Sequence, residues 1–113
     1  MKQYVIDELS VEDHNKITTY LNENSDHGAV AGIYRLPLPE KLLNARQMRH
    51  TQCQPFYFAI ELENNRITYE FLVRSTNQIR CDCIAYADER QYNWLISKAD
   101  AMIEPLMNTN RRE

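Results

Sequence analysis

Apolar side chains fall on even positions from Phe56 through Phe58 and Ile60 to Leu62, and on odd positions from Ile67 through Tyr69 and Phe71 to Val73. Asn64-Asn65 stands between the two runs. Period-two alternation on both sides of a two-residue loop predicts a β-hairpin. The joining register pairs Leu62 with Ile67, Ile60 with Tyr69, Phe58 with Phe71 and Phe56 with Val73, so that all of them share one face. A slip of one residue would send half of this set into water, so the pattern specifies its own pairing. Asn-Asn suits a type I′ turn, in which both central residues take positive φ, because Asn enters that region more readily than most residues.

The alternation continues at Ile79, Cys81, Cys83 and Ala85, predicting a third strand over 79–87. With Ser75-Thr76-Asn77 as its loop, Ile79 would lie opposite Val73, Cys81 opposite Phe71 and Cys83 opposite Tyr69. Earlier in the chain, residues 4–9 read as a short strand. Ser10 opens a helix to about residue 24 with Asp13 as its capping-box partner, and His14, Ile17, Thr18 and Leu21 form its buried stripe. Turn chemistry at 24–28 ends it. Residues 29–36 read as a strand with Val30, Tyr34 and Leu36 on one face, closed by Pro37 and Pro39. Pro39 also suits the first turn of a short helix over 40–49. Asp88, with Gln91 three residues on, opens the last helix, whose apolar stripe runs through Tyr92, Leu95, Ile96, Ala99, Met102, Ile103 and Leu106.

The elements give an α+β domain with a largely antiparallel sheet in the order β-α-β-α-β-β-β-α. It has a C-terminal three-strand meander packed by a long C-terminal helix. One domain is expected over 1–107, followed by a flexible polar tail over 108–113.

Composition narrows the function classes. With 43% hydrophobic and 26% charged residues, the chain can pack a core rather than stay disordered. Two glycines argue against a Gly-rich phosphate loop. A net charge of −3 gives no general attraction to nucleic acid or to an anionic membrane, so neither is expected as a partner. No apolar run has the length of a bilayer span or the look of a secretory leader. With three cysteines, an odd count, the expectation is reduced thiols in a cytoplasmic protein.

Candidate chemistry is sparse. His50, Cys53, Cys81 and Cys83 could supply a tetrahedral zinc site. The pattern favours buried core cysteines instead, because Cys81 and Cys83 alternate along an apparent strand whereas zinc cysteines usually sit in a turn. A redox pair is the remaining thiol reading. His14 lacks a recognisable nucleophile or acidic partner. Arg46 and Arg49, with Lys41 and His50, make one segment basic and are the anion-binding candidates. Glu63 can meet Arg66 across the hairpin turn, and Arg80 can reach Glu70.

Trp94 projects well away from the centre of its helix's apolar stripe and needs a cover, either from the first or second helix of the same chain or from a partner surface. Tyr57, Leu72, Ile84 and Tyr86 point away from the main core. Together these are the interface candidates, because Trp and Tyr are enriched where proteins meet. The expected role is a small protein-binding or regulatory module that self-associates as a homodimer or meets another protein. No catalytic residue is assigned and no cofactor is expected, since Walker, Rossmann and nucleophile-elbow patterns are absent. A Cys/His metal or thiol site, or an enzyme without a recognisable motif, are the alternatives.

Overall fold

The computed structural model describes residues 2–27 and 31–107, with the backbone alone described at 26 and 27. Val30, part of the expected second strand, and the expected tail over 108–113 lie outside the described residues. The elements are β1 (Gln3–Ile6), α1 (Val11–Asn24), β2 (Asp26–His27), β3 (Ile33–Pro37), α2 (Ala45–Arg49), β4 (Phe56–Leu62), β5 (Ile67–Ser75), β6 (Ala85–Tyr86) and α3 (Glu89–Ile103). Among the described residues there are also short 3-10 turns at Glu40–Leu42, Thr51–Cys53 and Glu104–Leu106. Every strand pair is antiparallel, in the order β1-β5-β4-β3-β2, with β6 also on β5. The fold is α+β, as the pattern predicts, with the long helix at the C-terminal end.

Two helix starts form as read. Ser10 and Asp13 exchange both capping-box bonds at α1, and Asp88 and Gln91 do so at α3. Each box satisfies two N–H groups that a helix end would otherwise leave without partners. The expected helix over 40–49 is instead a 3-10 turn followed by α2, because Asn44 and Gln47 form a third capping box that restarts the helix there. Asn44-x-x-Gln47 was visible in the sequence as the same signature.

The hairpin keeps its predicted register at its closed end, with Leu62 opposite Ile67 and Ile60 opposite Tyr69. Beyond that the register shifts, and Phe58 pairs with Val73 and Phe56 with Ser75. The shift is an even number of residues, so Val73 stays in the core. Phe71 is displaced, half-buried, with its ring 4.9 Å from that of Tyr92. The turn also differs from expectation, since neither Asn64 nor Asn65 has positive φ; among the described non-glycine residues only Glu8 does.

The third strand is the largest correction. Only Ala85–Tyr86 forms, pairing with Leu72 and Val73, and residues 79–84 are a loop. Ile79 is 95% exposed and Ala85 is exposed as well. The cause is competition for one sheet edge: β1 pairs with residues 67–70, so Tyr69 already faces Tyr4 where Cys83 was expected. The cysteines are thereby released from the strand.

Both long helices pack on the face that carries Phe58, Ile60 and Tyr69. The Tyr34 hydroxyl donates to Asn22 Oδ1 of α1 at 2.9 Å, and the Tyr4 hydroxyl to Asp100 Oδ1 of α3 at 2.6 Å. Ile17 and Leu21 of α1 and Leu95, Ala99 and Ile103 of α3 are fully buried in this core, while His14 and Thr18 at the edge of the α1 stripe are half-buried. Each buried Leu or Ile contributes roughly 1.5–3 kcal/mol. Trp94 finds its cover within the chain, half-buried and stacked on Phe58 with centroids 6.3 Å apart. The opposite sheet face carries Arg35 over the Tyr57 ring and an Arg74–Glu70 ion pair. Glu70 thus pairs with Arg74 rather than with Arg80, while Glu63 meets Arg66 as expected. No helix among the described residues is long and apolar enough to cross a membrane.

Candidate metal centre

Two tight turns aim four ligand-type side chains at one point. His50 caps the C-terminal end of α2, its N–H donating to the carbonyls of Arg46 and Gln47. The chain then enters the Thr51–Cys53 turn, closed by the Cys53 N–H on the His50 carbonyl at 2.9 Å. Across from it, the Ile84 N–H donates to the Cys81 carbonyl at 3.0 Å and closes a second turn around Cys81 and Cys83. The two segments are tied together independently of the cluster. The Ser75 hydroxyl donates to the Cys53 carbonyl and accepts from the N–H groups of Asn77 and Gln78, and Asn77 Nδ2 donates to the Gln54 carbonyl.

The result is a group of one imidazole and three thiols whose ligand atoms all lie within 4.8 Å of one another. His50 Nδ1 is 3.1 Å from Cys81 Sγ. A tetrahedral ion with metal–sulfur bonds of about 2.3 Å has sulfur–sulfur edges of about 3.8 Å, so modest side-chain adjustment would close the set around one ion. Cys53 and Cys83 are buried, at 5% and 1% exposure, while His50 and Cys81 are half-buried. All three cysteines are free.

The thiols are electrically unequal. The Cys83 backbone N–H holds the Cys81 thiol below the ordinary thiol range, helped by the side chains of Cys83, His50 and Cys53. Burial pushes Cys83 up to about 12, reinforced by the neighbouring Cys81 and Cys53 thiols. A divalent cation at this point would displace thiol protons to gain thiolate ligands.

The surroundings orient these groups. His50 Nε2, the nitrogen facing away from Cys81, is 3.8 Å from Asp82 Oδ1, and Asp82 is in turn paired with Arg46 Nη1 at 3.3 Å. The separation is longer than a hydrogen bond, but it places a carboxylate on the side of the ring where a ligating histidine finds its tautomer-fixing partner. Beneath the centre lies a buried amide relay. Gln91 Nε2 donates to Gln47 Oε1 at 2.8 Å and to the Leu42 carbonyl at 2.9 Å, while Gln47 Nε2 donates to the Cys83 carbonyl at 3.4 Å. The same two glutamines complete the boxes of α2 and α3, so the cap chemistry of both helices also holds the cysteine loop.

The structure separates the anion-binding candidates Arg46 and Arg49. Arg46 is neutralised by Asp82, whereas Arg49 lines a cavity of about 440 Å³ with Arg80, beside His50, Cys53 and Cys81. Of the interface candidates, Tyr57, Leu72 and Ile84 are half-buried and Tyr86 is 44% exposed with Lys2 over its ring. His14 is outside the His/Cys group. Sequence reasoning missed Arg80, Gln47 and Gln91 as parts of the site. Gln91 was recognisable only as a cap. Comparison of the chain with models of protein families, with curated proteins and with solved structures finds no match.

Proposed function

We propose that this chain is a zinc-binding domain in which His50, Cys53, Cys81 and Cys83 hold one ion as a clip between the segment after α2 and the loop before β6. The observation that carries the reading is the convergence of all four ligand atoms within 4.8 Å, from segments some thirty residues apart. Thiolate and imidazole donors in a closed set of four favour zinc over hard cations and match a structural rather than a catalytic site, which would keep a position open. A disulfide would use only two of the three thiols and would leave the aim of His50 unexplained. The chain's own residues supply the positioning: Gln47, held by Gln91, reaches the Cys83 carbonyl, and Asp82 stands beside the second nitrogen of His50.

The test is metal analysis and native mass spectrometry of protein purified without added metal, with cobalt substitution as the spectroscopic readout. One zinc per chain is expected, and cobalt should give thiolate charge-transfer bands that lose intensity in Cys83→Ser, with cobalt bound more weakly. Asp82→Asn should weaken the metal about 10–100-fold in chelator competition while leaving the ligand set intact. A folded wild type that neither retains zinc nor binds cobalt tetrahedrally would return the cysteines to an ordinary core role.

A second reading, self-association through the sheet, draws support from the opposite sheet face. Both long helices pack on one side, and the other offers Tyr57 and Leu72 half-buried beside an open groove lined by Arg35, Glu61 and Glu70. The module would then act through protein contacts, with the zinc clip stabilising its fold.

A further inference from the structure

We propose that the cavity beside the metal centre binds a small phosphate-bearing molecule through Arg49 and Arg80. The cavity measures about 440 Å³, a size suited to a small molecule, and is lined by Arg49, Thr51, Gln52, Gln78, Arg80 and three of the four ligand residues. The acidic residue of the same loop is already engaged, because Asp82 pairs with Arg46, and none of the described acidic residues lines the cavity. Among the described residues, neither Arg49 nor Arg80 has a carboxylate within ion-pair distance. Both residues are exposed and line the cavity.

The charge balance favours an anion. Zinc with three thiolates and a neutral imidazole carries one negative charge, and the Arg46–Asp82 pair carries none. Two free guanidinium groups therefore leave the cavity with a surplus of one positive charge in a chain whose net charge is −3. Guanidinium forks match phosphate oxygens bidentately. The Thr51 hydroxyl and the side-chain amides of Gln52 and Gln78 add neutral donors around the same space, more than a planar carboxylate with two oxygens can use. The remaining volume accommodates an organic group attached to the phosphate. The chain's overall negative charge disfavours a long polyanion, so the ligand is a small ester rather than a nucleic acid.

This inference rests on the zinc reading to the extent that a bound ion would hold both loops forming the cavity, so zinc content is measured on every sample. Inorganic phosphate, phenyl phosphate and acetate are titrated into zinc-loaded protein, followed by calorimetry and by amide chemical shifts. Phosphate and phenyl phosphate should compete for one site, with shifts centred on Arg49, Thr51, Gln52, Gln78 and Arg80, and acetate should bind at least about tenfold more weakly. Arg49→Gln and Arg80→Gln should each weaken phosphate about tenfold, the scale of one lost charge-assisted contact, while retaining zinc. Arg66→Gln, remote in sequence and paired with Glu63, should bind as wild type. Absence of saturable binding to zinc-loaded protein, acetate binding equal to phosphate, or wild-type affinity in both cavity variants would overturn the proposal and leave the zinc centre standing. Protein that lacks zinc yet binds phosphate at these residues would uphold the cavity and overturn the zinc reading.

Discussion

At the scale of single residues, the site is built from side chains that serve two purposes. Gln47 and Gln91 cap helices and hold the cysteine loop; Asp82 neutralises Arg46 and faces the second nitrogen of His50. Tyr69 is the contrasting case. Its ring is fully buried, but its hydroxyl has no hydrogen-bond partner among the described residues, and burial raises its pKa well above the usual phenol range. A buried unpaired hydroxyl costs about 1–3 kcal/mol. Tyr69→Phe should therefore leave stability unchanged or raise it by about 1 kcal/mol in urea unfolding. A loss of more than about 1 kcal/mol would show that the hydroxyl is hydrogen-bonded after all, with buried water the obvious partner.

Among the elements, the β1–α3 junction has a pH signature of its own. The Tyr4 hydroxyl bonds to the Asp100 carboxylate, and that bond, with burial and the Asp100 charge behind it, raises its pKa from 10.0 to about 12. A folded pKa above the unfolded one means that the native state holds this proton more tightly. The contribution is complete below pH 10 and is lost as pH rises through about 12. The stability difference between wild type and Tyr4→Phe should be constant up to about pH 9 and shrink above pH 10. A difference that stays flat to pH 12 would show that the hydroxyl is not bonded to Asp100 in solution. The same element explains the misread third strand, because β1 takes the edge of β5 that residues 79–83 would have used.

For the whole molecule, one-sided helix packing is the consequential feature. It leaves a sheet face with Tyr57, Leu72 and a paired Glu70–Arg74 open to a partner, on which the proposed self-association depends. Sedimentation over a range of concentrations tests it, with Leu72→Lys as the probe, since a buried cation at a symmetric interface repels its copy. Wild type should dimerise and the variant should stay monomeric with its zinc and fold intact. A wild type that is monomeric at high concentration excludes the homodimer. Trp94 is a poor probe here, because its ring stacks on Phe58 and its removal would disturb the core.

The sequence by itself determined the local features. Reciprocal caps need only residues three apart, and hairpin alternation needs only a short loop, so Ser10–Asp13, Asp88–Gln91 and the Leu62–Ile67 end of the hairpin were legible. It also named His50, Cys53, Cys81 and Cys83 as conceivable ligands, but alternation at 79–85 made two of them look like strand residues. Two cysteines in a turn leave the same period-two trace as small apolar residues in a sheet. Only the tertiary structure decided between these, because the outcome hung on which segment occupied the free edge of β5. Tyr4 and Tyr69 are paired from the start and the middle of the chain, and that pairing is worth its energy only when α3 closes over both. Long-range competition of this kind has no local signal, and it is what turns Cys81 and Cys83 out of the sheet and toward His50 and Cys53.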